Sequence, residues 1–110
     1  MKYEDEVRYS VDVLGTKYTI VETDNSEKLK QRNADGVIDY TIQEITLEKT
    51  FSGETKDGEW YQKLVKRHEL IHAFLFESGA TKYSEDEDLI EILSIQFPKM
   101  LKAFEEVDAL

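Results

Sequence analysis

Leu64-Val65-Lys66-Arg67-His68-Glu69-Leu70-Ile71-His72-Ala73-Phe74-Leu75-Phe76-Glu77-Ser78-Gly79 is the stretch on which the reading of this chain turns. It predicts the larger part of a helix from Glu59 to Ser78. Leu64, Ile71 and Leu75 fall on one broad face, and Gly79 stands where a helix C-cap is expected. Inside that helix, His68 and His72 are four residues apart, so both imidazoles project from one face and can reach a single metal ion. Glu69, next to the first of them, is placed to serve a water on that metal as general base.

The chain has only two histidines. Their spacing of four, with Glu after the first, arises by chance in about one sequence in 400 of this composition, and the match is to a known zinc motif. The competing reading is a surface helix whose polar side happens to carry these residues. Against it, Val65, Leu70, Ala73, Phe74 and Phe76 make most of the helix circumference apolar, so the histidines are half buried and need partners.

A catalytic zinc takes three protein ligands and keeps one position open. Without a cysteine or a third histidine, the third ligand must be a carboxylate. Glu77 is turned away from the metal face, and Gly79 leaves it no room to return. The run Glu85-Asp86-Glu87-Asp88, with Glu91 beyond it, opens the next helix and can fold back beside the histidines. The dipole of a helix N-terminus also attracts acidic residues without any metal. The spacing of Glu87 and Glu91, one turn apart, favours a ligand with a supporting carboxylate behind it.

Upstream, Val7, Tyr9, Val11 and Val13 alternate with polar residues. Leu14 to Lys17 reads as a turn and Tyr18 to Val21 as the returning strand of a hairpin. Residues 22 to 36 form a polar connection, with Asn25-Ser26 as a cap for a short helical turn. Val37, Ile38 and Tyr40, then Ile42, Ile45 and Leu47, predict one or two further strands, giving a sheet of three or four. Ser52 to Gly58 reads as a loop. Downstream, Ser84 is the expected cap of a helix with Glu87 as its capping-box partner, and Pro98 should kink or restart that helix.

The 110 residues suit one domain, 1-110, and the fold class is α+β: a small, mainly antiparallel sheet packed on the metal helix and closed by a C-terminal helix. A net charge of −10 disfavours nucleic acid and anionic membranes as partners, the only basic cluster being Lys63, Lys66 and Arg67. Met1 to Glu6 lacks the apolar core of a signal peptide, and no apolar run reaches membrane length, so an intracellular protein is expected.

The pentad His68 to His72, followed by a helix with a Glu and a second carboxylate four residues on, resembles the zincin metallopeptidases whose third ligand is Glu. More narrowly, Arg67 to Gly79 together with Ile95-Gln96-Phe97-Pro98-Lys99 resembles short metallopeptidases encoded by phages and prophages of Gram-positive bacteria. That resemblance implies a zincin-like minimal domain in the cytoplasm of a bacterial host cell. It implies His68, His72 and Glu87 as ligands of Zn2+, Glu69 as general base and Glu91 as the carboxylate behind a ligand imidazole. Where the family pattern has Asn before the ligand and Asp four positions after it, this chain has Asp86 and Glu91, which leaves the register among Asp86, Glu87 and Asp88 to be settled by geometry.

The expected activity is hydrolysis of a peptide or amide bond in a peptide or protein substrate. A donor to the developing oxyanion would come from Tyr83, Tyr61 or Arg67, and the strand Ile45 to Lys49 would offer its edge to an extended substrate. The alternative is a zinc-braced phage protein without catalysis that binds a host or phage factor. Oligomeric state is not legible in these residues.

Overall fold

The computed structural model describes residues 6–24, 26–49 and 55–110, without the side chains of 55–57. Strands β1 (Val7–Val13) and β2 (Thr16–Thr23) form the expected hairpin, paired antiparallel from Val7 with Glu22 to Val13 with Thr16. Its two-residue turn places Leu14 and Gly15 at φ 51° and 93°, the left-handed pair whose twist suits a tight hairpin. Helix α1 (Glu27–Arg32) starts at Ser26, whose side chain accepts from the Leu29 amide. Asn25, proposed as part of that cap, lies outside the described residues.

Strands β3 (Gly36–Asp39) and β4 (Glu44–Glu48) complete a four-stranded sheet in the order β1-β2-β4-β3. Tyr40 and Ile42 fall in the turn between them. Two pairings are antiparallel and the central one, β2 with β4, is parallel. The sheet is thus mainly antiparallel, and the fold is α+β. β4 is paired on both sides, so the strand expected to receive a substrate has no free edge. Among the described residues the open edges belong to β1 and β3.

Helix α2 (Thr55–Glu77) begins earlier than expected. Thr55 to Gly58 lie in its first turn rather than in a loop, because a glycine near a helix start costs only about 1 kcal/mol, which tertiary packing can absorb. Ser52 to Glu54 lie outside the described residues. Gly79 (φ 89°) follows the helix, and the Ala80 amide returns to the Leu75 carbonyl, as in a glycine-terminated helix.

The core forms where α2 crosses the sheet. Val13, Tyr18, Ile20, Ile45 and Leu47 bury fully against Ala73, with Val11, Ile38, Val65 and Leu70 around them. The alternation of β2 and β4 puts these residues on one face, while Leu29 of α1 is buried beside the other. Tyr18 and Thr16 donate to the Glu77 carboxylate at 2.7 and 2.9 Å, which ties the end of α2 to the hairpin and keeps Glu77 away from the histidines.

A short helix α3 (Thr81–Ser84) precedes α4 (Glu87–Glu106). Ser84 is the last residue of α3 and not the cap of α4. Asp86 is that cap, its carboxylate accepting from the Leu89 amide at 3.1 Å. α4 runs through Pro98 without ending or restarting there. Among the described residues no helix is long and apolar enough to cross a membrane.

Candidate metal centre

α2 and α4 lie side by side, and their facing turns bring His68, His72 and Glu87 together. One ligand atom from each lies within 4.8 Å of the others. His68 Nε2 is 3.2 Å from one Glu87 oxygen, and His72 Nε2 is 3.3 Å from the other. Ligands about 2.0–2.1 Å from a tetrahedral metal are separated by about 3.4 Å, so these spacings match an ion held between them.

The imidazoles are held from behind. His72 Nδ1 lies 2.6 Å from the Ser84 carbonyl. A carbonyl only accepts, so Nδ1 donates to it and Nε2 is the ring atom that faces Glu87. His68 Nδ1 is 3.5 Å from Glu91, an ion-pair distance longer than a hydrogen bond. The donor set, its spacing and its outer partners fit a metal ion.

Glu69 is nearly buried. Burial pushes its carboxyl up to about 7, opposed by His72 and reinforced by the Glu87 charge. Its position depends on Gly36. A Cβ there would stand 2.7 Å from Val65 Cγ1, 3.1 Å from Leu47 Cδ2 and 3.2 Å from Glu69 Cγ, so only glycine lets β3 pass this close to the metal helix. The result is a cleft of about 210 Å³ in which His68, Glu69 and Glu91 face Asp35, Gly36, Tyr61, Leu64 and Val65.

The structure thus brings together His68, Glu69, His72, Glu87 and Glu91. Asp86 is occupied as helix cap, and among the described residues no other His, Asp or Glu joins the three-residue group. Of the expected oxyanion donors, Tyr61 reaches the cleft but donates to Asp35 at 2.6 Å. Arg67 donates to the Ser94 carbonyl at 2.6 Å. Tyr83 is exposed under Lys82. The other two residues of the basic cluster are also paired, Lys63 with Glu59 and Lys66 with Glu22.

Tyr40 was not a sequence candidate. It follows β3, and its ring stacks on Phe76, one helical turn beyond His72, at 4.1 Å between centroids. Burial raises its phenol, the Ser84 hydroxyl opposes this, and Glu85, Glu69 and Glu87 add to the rise. Neither motif nor periodicity marks Tyr40, since an aromatic after a strand ordinarily reads as packing. Ser84, which steadies His72 through its backbone carbonyl, is equally silent, because any residue supplies a carbonyl.

Compared with known protein families, curated proteins and solved structures, the chain matches none.

Proposed function

We propose that this protein is a zinc-dependent metallopeptidase that hydrolyses a peptide or amide bond, with His68, His72 and Glu87 as ligands. The observation that carries the reading is the convergence of two Nε2 atoms on the two oxygens of Glu87 beside a buried Glu69. Zinc bound there would supply Lewis acidity toward the scissile carbonyl and make water nucleophilic near neutral pH.

The chain's own residues supply the rest. Glu69 takes a proton from the attacking water and returns it to the leaving amine. Its cleft, walled by Leu64 and Val65, limits competing solvent. Tyr40, stacked on Phe76 one turn beyond His72, is the candidate donor to the carbonyl oxygen as charge develops there. The open edge of β3 starts at Gly36, beside Glu69, where an extended peptide could add as a further strand.

The test is metal content of tag-free wild type, His72→Ala, Glu87→Ala and Glu69→Gln, followed by peptide-library cleavage. The expected result is about one zinc per chain, lost in the first two variants and kept in Glu69→Gln, with cleavage only by wild type. A wild type that takes up no zinc on reconstitution sinks the reading. A zinc-loaded wild type that cleaves nothing favours the zinc-braced binding protein.

A further inference from the structure

The polar ties between α2 and α4 follow one antiparallel register. His72 meets Glu87, His68 meets Glu87 and Glu91, and Arg67 meets Ser94. The last differs in kind. Pro98 has no amide N–H, so the helix cannot provide the bond that the carbonyl four residues earlier would accept. That carbonyl belongs to Ser94, which is wholly buried, where an orphaned acceptor is costly. The Ser94 hydroxyl is committed to the Glu91 carbonyl at 3.0 Å. The guanidinium of Arg67, donating through Nε at 2.6 Å, takes the place of the missing amide from outside the helix.

We propose that Arg67 is a positioning residue: seated on the carbonyl that Pro98 frees, it sets the height of α4 along α2 and so the approach of Glu87 to both imidazoles. This rests on the metal reading above. Ser94 and Glu87 are seven residues apart, two turns along one helix face, so a slide of α4 at Ser94 is carried undiminished to Glu87. A slip of one residue moves Glu87 by about 1.5 Å, whereas metal ligands tolerate about 0.2 Å. The side chains of Glu87 and Glu91 are 68% and 58% exposed, whereas Ser94 is wholly buried. The Arg67 tie is short, its acceptor is buried, and it consumes no ligand.

Wild type, Arg67→Met, Pro98→Ala and the double variant separate this role from simple satisfaction of a carbonyl. Each is measured for metal-free melting temperature and for zinc affinity by chelator competition. Each also carries spin labels at Lys63→Cys and Gln96→Cys, in a chain with no cysteine of its own, to report the distance between the helices. Arg67→Met is expected to weaken zinc binding by about 10- to 100-fold and to shift or broaden the inter-spin distance. Adding Pro98→Ala gives Ser94 an intrahelical donor, so the melting temperature recovers while affinity and distance do not. Recovery of affinity together with melting temperature would overturn the proposal, as would an Arg67→Met protein with wild-type affinity and distance. If wild type binds no zinc, the metal reading falls, and the label distance alone decides whether Arg67 sets the register.

Discussion

Replacing Gly36 by alanine tests the close approach of β3 to α2. The added methyl would stand 2.7 Å from Val65 Cγ1, 3.1 Å from Leu47 Cδ2 and 3.2 Å from Glu69 Cγ. Val65 sits in a helix, where a β-branched side chain has one strongly preferred rotamer, and Leu47 is fully buried, so neither can swing aside. Overpacking of this kind costs about 1–3 kcal/mol. Alanine returns about 0.4–1 kcal/mol by stiffening the unfolded chain, which leaves a net loss of about 1–2 kcal/mol. For a domain near this size, that lowers the melting temperature by roughly 5–15 °C. Urea unfolding gives the stability change, and zinc competition gives the state of the site. The ligands are untouched by the new methyl, so zinc affinity should hold, while cleavage falls as Glu69 is displaced. Trimming the obstacle with Val65→Ala should make the double variant less unstable than the sum of the two singles. A Gly36→Ala protein with an unchanged or higher urea midpoint would refute the close packing of β3 on α2, and with it the account of how Glu69 is placed.

Asp86→Ala removes the cap of α4 and should cost about 1 kcal/mol; because the first turn of α4 carries Glu87, thermal unfolding and zinc titration should both register the change. Tyr40→Phe keeps the stack on Phe76 and removes only the hydroxyl, so the zinc-loaded variant should bind metal as wild type does and lose kcat, and an unchanged kcat would remove Tyr40 from the mechanism. Glu22 is pulled upward by burial, but hydrogen bonds from Tyr9, Lys66 and Gln62 and the charge of Lys66 outweigh this and hold its carboxyl below the usual range. A depressed carboxyl contributes stability that is present above its unfolded value near 4.5 and is lost as pH falls through its folded value. Melting temperature should therefore decline on acidification below about pH 4.5 less steeply in Glu22→Gln than in wild type, and parallel declines would contradict the assignment.

What the sequence determined by itself was local. The four-residue spacing of His68 and His72, the alternation of β1 and the Leu14-Gly15 turn each depend on neighbours within a few positions, where backbone geometry leaves few choices. The acidic run at Glu85 to Asp88 narrowed the third ligand without choosing it. That choice is tertiary: Asp86 turns back to cap its own helix, and the packing of α4 on α2 brings Glu87 to both imidazoles. Strand order is tertiary too, because a short strand carries no mark of which neighbour it pairs with, and so β3 rather than β4 holds the open edge. Tyr40, the Ser84 carbonyl and the Arg67 tie lie beyond the reach of pattern for one physical reason. Each acts through a contact made across the fold, at distances and burials that no spacing along the chain encodes.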